Sequence, residues 1–314
     1  MGQMVDGVWR RDEDLAHAED GRFQRPPTRF RGTIAAGGPH PPAAGRYRLY
    51  VSLACPWAHR ALIVRRLKGL ERIVGLSVTH WLMREEGWTF ADGPGVVPDP
   101  GGARFLHEVY RRADPHYTGR VTVPVLWDCE AGTIVNNESA DVMRMFNAGF
   151  DAVGALPGDL YPEALRPEID AVNARIYDTL NDGVYRAGFA TTQEAHEAAV
   201  RPLFDTMDWL ERLLAHQDYL CGNAVTEADW RLFTTLVRFD AVYHGHFKCN
   251  LRRLVDYPAL WDYARRLYRW PGVSDTVDVR HIKGHYYGSH RGINPTGIVP
   301  LGPAVDWDGP GRQG

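Results

Sequence analysis

The sequence lacks a CxxC pair, a long apolar run, a basic excess and an apolar leader. Each absence removes a class of function. No apolar run reaches about 18 residues, so no membrane span is expected. The N-terminus, MGQMVDGVWRRDED, carries charge where a secretory leader needs an apolar core. With 36 Lys and Arg against 39 Asp and Glu, the formal net charge is −3. That balance offers no global basic surface to nucleic acid or an anionic membrane. Lysine is scarce as well: Lys68, Lys248 and Lys283 are the three present. That bias is attributed to codon usage and carries no functional argument. The four cysteines, Cys55, Cys129, Cys221 and Cys249, form no dense framework. In a chain of 314 residues this suits free thiols in a reducing, cytoplasmic setting.

What is present fits two domains, at about 100–200 residues per domain. Residues 1–45 are rich in Gly, Pro and Arg and read as an irregular arm. Tyr47 to Val51 alternates like a strand and leads through Ser52–Trp57 into a helical stretch, Ala58 to Lys68. Pro56 just inside the helix start and Gly69 past its end follow the usual asymmetry of helix termini. Ile73–Val78 and Val121–Trp127 are further strand candidates. Thr133–Val135 pairs with the latter across a Glu130–Gly132 turn, and a helix follows from Ser139 to Phe146. This β-α-β, then β-β-α order fits a thioredoxin-like domain over residues 46–150. An irregular insertion at 81–119 interrupts it, and such loops tend to be functional. From Tyr161 to about Thr276 helical stripes take over: Leu165, Ile169, Val172, Ile176 and Leu180, then Val200, Leu203, Met207, Leu210 and Leu214. Thr226-x-x-Asp229 has capping-box spacing. The second domain is therefore expected to be all-helical, with residues 277–314 as an irregular tail.

Cys55 is the sharpest chemical signal. At a strand-to-helix junction its sulfur faces the unpaired N–H groups of a first helical turn. Such a place favours thiolate and lowers a cysteine pKa by roughly one to several units. Ala58 stands where a CxxC pair would have its second thiol, so the site is monothiol. The competing reading is a buried structural cysteine. Val123-Pro124 reads either as an edge-strand proline or as a cis turn presenting the Val123 backbone to a peptide-like ligand. In Asn136-Asn137-Glu138-Ser139, Ser139 is a natural N-cap and Glu138 an ammonium partner. Together they suit an α-amino acid head, with plain capping and solvation as the equal alternative.

The combination resembles the glutathione transferase superfamily and, more narrowly, the glutathionyl-hydroquinone reductases, its Xi class. The resemblance rests on Cys55-Pro56-Trp57-Ala58-His59-Arg60, Asn137-Glu138-Ser139 and Val184-Tyr185-Arg186-Ala187-Gly188-Phe189-Ala190. It continues through His285-Tyr286-Tyr287, Ser289-His290 and Ile293-Asn294-Pro295, and spans nearly all of residues 45–303. It implies Cys55 as nucleophile and glutathione, a co-substrate, along Trp88, Arg120, the Val123 backbone, Glu138 and Ser139. Tyr185 and Tyr286 would line an aromatic-substrate site and donate protons to it, with Tyr287 adjacent and able to exchange roles with Tyr286. The implied reaction removes glutathione from a glutathionylated hydroquinone through a Cys55–glutathione mixed disulfide. It yields hydroquinone and oxidised glutathione in a homodimeric enzyme. An omega-like thiol transferase or dehydroascorbate reductase would use the same cysteine. A non-catalytic interaction module is the third reading, against which the joint presence of Cys55, Glu138 and Ser139 argues. His244-x-His246-x-x-Cys249 and His281-x3-His285 can be drawn as metal spacings, yet no second cluster matches them, and no metal is expected.

Overall fold

A computed structural model describes residues 2–11 and 20–309 of the chain. The arm and tail expected above extend at residues 1, 12–19 and 310–314 outside the described residues. The rest divides into two units. The first comprises residues 2–11, 26–158 and 280–289, the second 20–25, 159–279 and 290–309.

The first unit begins with a hairpin, β1 (Gln3–Val5) and β2 (Val8–Arg10), where an irregular arm was expected. Asp6 and Gly7 both have positive φ, 47° and 72°. Asp-Gly is the pair a two-residue primed turn demands, a signal too short to stand out in an arm rich in Gly and Pro. Met4 exchanges backbone hydrogen bonds with Gly119, 2.9 Å each way, so β1 is tied to the far end of the insertion.

The sheet that follows is built from β3 (Tyr47–Val51), β4 (Val74–Val78), β5 (Val125–Asp128) and β6 (Thr133–Asn136), in the order β4-β3-β5-β6. β3 and β4 are parallel and the other pairs antiparallel, with Leu49 registered between Leu76 and Leu126. Tyr47, Leu49, Tyr50 and Val51 are all buried, as a central strand covered on both faces requires. α1 (Pro56–Leu67) links β3 to β4, and α3 (Ser139–Ala148), which follows β6, packs against it. This is the thioredoxin-like order expected. One strand is shorter than its pattern suggested: β5 starts at Val125, because Pro124 has no N–H to give to a ladder. The insertion is not wholly irregular either, since it holds α2 (Leu106–Ala113).

The second unit is helical: α4 (Arg166–Ile176), α5 (Gly183–Gly188), α6 (Gln193–Leu214), α7 (Glu227–Arg238) and α8 (Pro258–Tyr268). The expected apolar stripes are its core. Ile169, Val172 and Ile176 are buried on α4, and Leu203, Met207 and Leu210 on α6. The tail was expected to be irregular but contains α9 (Val279–Ser289), whose residues 280–289 belong to the first unit. Gly284 and Gly288 weaken the local helical signal, and tertiary contacts override it. No described helix is long and apolar enough to cross a membrane.

Thr226 and Asp229 form the capping box of α7, and Asp229 does more than cap. Its fully buried carboxylate accepts from the Thr226 N–H at 2.7 Å, the Leu220 N–H at 2.9 Å and the Tyr263 hydroxyl at 2.9 Å. Burial pushes its pKa up, and these hydrogen bonds oppose that rise. Asp229→Ala strands these donors and the Thr226 hydroxyl, which donates to the same carboxylate at 3.0 Å, and is expected to cost about 3 kcal/mol. The readout is a lowered urea midpoint, with Asp229→Asn losing less; an unchanged midpoint for the alanine variant would refute the role.

Candidate active site

Cys55 occupies the N-cap of α1, with φ −79° and ψ 121°, and makes no side-chain capping hydrogen bond. Its N–H donates to Ser52 O at 3.0 Å, and its carbonyl accepts from the His59 N–H at 3.0 Å, so the backbone is held from both sides. The side chain is half-buried. Its thiol lies 3.7 Å from the Val123 carbonyl oxygen, across the cis Val123-Pro124 peptide bond. Two of the sequence's signals, far apart in the chain, thus meet at one sulfur. The remaining cysteines differ. Burial pushes the Cys221 thiol up to about 12 and Cys249 higher still, while Cys129 is exposed, with its pKa raised by partial burial. All four are free thiols.

The segment before α3 corrects one expectation. The N-cap is Glu138, not Ser139; Ser139 is the first helical residue. The Glu138 carboxylate accepts from the Ala140 N–H at 3.3 Å, the Ser139 hydroxyl at 3.4 Å and the Thr28 hydroxyl at 3.4 Å. The preceding asparagines set this geometry. Asn136 accepts from the Glu138 N–H at 2.7 Å, and Asn137 accepts from the Phe30 N–H at 3.2 Å. Residues 28–30 of the arm are therefore part of this wall, and Thr28 had no sequence signal. Glu138 stays half-buried, a carboxylate presented at the edge of the unit.

Trp88 and Arg120 come from the two ends of the insertion. The Arg120 side chain is half-buried, and its carbonyl accepts from the Tyr117 hydroxyl at 2.8 Å. Trp88 is 6% exposed, and its ring stacks on His285 of α9, centroids 4.8 Å apart. His285 in turn meets the ring of Tyr286 edge-on at 5.3 Å. Tyr286 is buried, whereas Tyr287 is half-buried with its phenol pushed up by that burial. The structure thus joins Trp88 to Tyr286 through a histidine that the sequence argument had considered for metal binding alone. The signal was available: His281, His285 and Ser289 recur every four residues, a helical phase obscured by the intervening glycines.

Tyr185 lies in the second unit, on α5. Its ring sits 5.5 Å from Phe247, 6.1 Å from Tyr243 and 6.2 Å from Phe189, with the Arg25 guanidinium over it at 5.0 Å. Arg25 also donates from Nε to Asp182 at 2.8 Å, just ahead of α5. Gly188 is required here, because a Cβ would come within 2.1 Å of the Phe247 ring. The histidines drawn earlier as metal spacings do other work. His281 and His285 donate to the carbonyls of Pro94 and Trp81. His246 bonds to His290 at 3.2 Å, with burial lowering its pKa to about 4. Among the described residues no group of three or more His, Cys, Asp or Glu side chains could hold a metal ion.

Chemically, this is a monothiol at a helix N-terminus beside the buried cis Val123-Pro124 turn, with a carboxylate and an arginine carried in the same unit. Residues 54–148 match the glutathione S-transferase N-terminal domain family, and residues 193–266 match the C-terminal domain family. A glutathionyl-hydroquinone reductase of Sphingobium chlorophenolicum, PcpF, is 57% identical over 305 residues, covering 97% of each chain. The Escherichia coli K12 protein YqjG, also named a glutathionyl-hydroquinone reductase, is 52% identical over 320 residues, 99% of this chain and 98% of its own. Its glutathione-bound structure aligns with a TM-score of 0.90 at 51% identity, over 99% of this chain and 98% of that one. A Xi-class transferase from Natrialba magadii gives 0.95 at 47% identity, covering 99% and 97%.

Exposure and helix-terminal placement make opposite forecasts for thiol reactivity. Cys129 is the more exposed, yet Cys55 holds the N-cap position of α1. Under native conditions iodoacetamide is expected to modify Cys55 first, then Cys129, and Cys221 and Cys249 only on unfolding. Site-resolved mass spectrometry over time checks the order; Cys129 reacting before Cys55 would contradict it.

Proposed function

Because the chain belongs to the glutathionyl-hydroquinone reductases, the Xi class of the glutathione transferase superfamily, we propose that Cys55 removes glutathione from glutathionyl-hydroquinones. The observation that carries the role of Cys55 is its place as the N-cap of α1, beside the Val123 carbonyl and without a second thiol in the motif. The enzyme is a glutathione-dependent oxidoreductase, and glutathione is its co-substrate rather than a resident group.

The reaction has two halves. The Cys55 thiolate attacks the sulfur of the thioether, and the carbon–sulfur bond breaks with its electron pair going to the aromatic ring. The ring carbon takes a proton, supplied by Tyr286 or Tyr185, and leaves as the hydroquinone. Cys55 is now disulfide-bonded to glutathione. A second glutathione thiolate attacks the glutathione sulfur of that bond, releasing oxidised glutathione and regenerating Cys55. The sum is one conjugate and one thiol converted to one hydroquinone and one disulfide, with ping-pong kinetics expected.

The binding assignments follow from chemistry. The Val123 backbone suits the peptide portion of glutathione, and Arg120 suits a terminal carboxylate. Glu138 suits the ammonium of the γ-glutamyl head, with Ser139 beside it, and Trp88 supplies a flat side. Tyr185 and Tyr286, with Tyr287 next to it, suit a phenolic ring. The reading carries a homodimer and a cytoplasmic setting with it, the latter supported by four free thiols.

Dethiolation of glutathionyl-menadiol tests the reaction. Wild type is expected to release menadiol with one oxidised glutathione per turnover, and Cys55→Ala is expected to release neither. Equal inactivity of folded wild type and variant would remove the enzymatic reading. Faster turnover of dehydroascorbate than of the conjugate would favour the omega-like alternative. Glu138→Gln keeps the oxygen that caps α3 and discards the charge. It is expected to raise the KM for the conjugate about tenfold, the loss of one charge-assisted hydrogen bond, while the Cys55 alkylation rate stays the same.

A further inference from the structure

One face of α9 is laid against the insertion. His281, Gly284, His285, Gly288 and Ser289 share that face at helical spacing. The polar members bond to insertion backbone. His281 Nε2 donates to Pro94 O at 2.6 Å, His285 Nδ1 donates to Trp81 O at 3.0 Å, and the Met83 N–H donates to Ser289 Oγ at 2.9 Å. The glycines make room. A Cβ on Gly284 would lie 2.8 Å from the Trp81 ring, and one on Gly288 3.2 Å from Leu82.

Of these five residues, His285 is the one whose side chain also meets both Trp88 and Tyr286. A carbonyl only accepts, so the bond to Trp81 O makes Nδ1 the donor and fixes the plane of the imidazole. In that plane the ring lies 28° from parallel to Trp88 and 74° from Tyr286. Stacked and edge-on contacts of this kind are directional as well as apolar. The Trp88 backbone is held by the Leu106 N–H, which donates to its carbonyl at 2.9 Å, and its indole rests against the His285 ring.

We propose that His285 is a positioning residue that sets the Trp88 indole and the Tyr286 phenol in one fixed relation, so that the thiol side and the aromatic side of the site are aligned together. The proposal rests on the assignment of Trp88 to glutathione and Tyr286 to the phenolic ring. A displacement of about 1 Å in such groups costs up to a hundredfold in rate.

Three variants of the full chain separate this role from simple docking of α9. His285→Ala removes stack and donor, His285→Phe keeps the stack, and Ser289→Ala removes a docking bond that does not touch Trp88. Expected are a ten- to hundredfold loss of kcat/KM on glutathionyl-menadiol for His285→Ala, recovery to within about threefold for His285→Phe, and little change for Ser289→Ala. The second readout is the emission assigned to Trp88, obtained by difference against the matching Trp88→Phe chain. It is expected to shift red and become open to acrylamide in His285→Ala only. Equal kinetic losses for His285→Ala and Ser289→Ala, or a Trp88 emission indifferent to His285→Ala, would overturn the proposal. Should His285→Ala fail to fold, His285→Phe decides: a hundredfold loss there refutes positioning by the stacked ring. The emission readout does not need turnover, so an inactive wild type would count against the reaction and not against His285.

Discussion

Asp99 enters the interior of the first unit from the insertion and accepts from the Tyr50 hydroxyl of β3 at 2.7 Å and the Ala103 N–H at 2.9 Å, with Arg112 of α2 at 3.4 Å. Burial would raise its pKa, but these donors hold the carboxyl below its ordinary range, and Tyr50 is pushed far up in the same exchange. A charged group kept ionised inside a protein must be fully satisfied, since removing any partner leaves a costly orphan. The loop is therefore pinned at its middle to the central strand. Val78 and Val97 exchange backbone hydrogen bonds beside it, and Met4 and Gly119 do the same at its far end. Trp88 and Arg120 are carried by this loop and not by the sheet, and α9 is docked on it. Trp88 and, through α9, Tyr286 take their places from that anchored insertion, whereas Cys55 and Glu138 are set by the N-termini of α1 and α3.

Two helix N-termini in the first unit are treated in opposite ways. α3 is closed by its own Glu138, whose carboxylate takes the Ala140 N–H and two neighbouring hydroxyls. α1 begins at Cys55, with no side-chain cap and with proline at its first position. The partial positive charge of the α1 N-terminus thus lies beside Cys55. At α3 the Glu138 carboxylate takes one of the first-turn N–H groups, that of Ala140. The sorting of charge is thus local: an anion-favouring helix end beside the Cys55 thiol, and a carboxylate at the start of α3.

The thioredoxin-like order, the helical second unit and the Cys55 turn were legible because each is a local pattern of about five to fifteen residues. Tyr47–Val51 alternates, Pro56 and Gly69 bracket a helix, and Thr226 and Asp229 fit one capping box. The errors arise where a local pattern is weak or has two solutions. Either Glu138 or Ser139 can cap α3, and the bonds of Asn136 and Asn137 to neighbouring backbone decide for Glu138. Asp6-Gly7 makes a hairpin out of an arm that composition alone marks as irregular. The Tyr185 surroundings needed Phe247, sixty residues away in the chain, to fill the space that Gly188 leaves. A pairing at that separation has no periodic trace.

α9 shows how far tertiary contact can replace local propensity. Two glycines in its interior cost about 2 kcal/mol relative to alanine, and an isolated helix of this length is marginal even with good formers. Alanine is excluded at 284 by the Trp81 ring, so the cost follows directly from the close approach. Three side-chain hydrogen bonds to the insertion offset it, at about 0.5–1.5 kcal/mol each. The helix lacks the propensity to stand alone and leans on a loop whose Phe90, Leu106, Val109 and Tyr110 are buried and whose Asp99 is tied to β3. Tyr286 is thereby carried on a helix that bonds to the insertion, and Trp88 packs against that helix through His285.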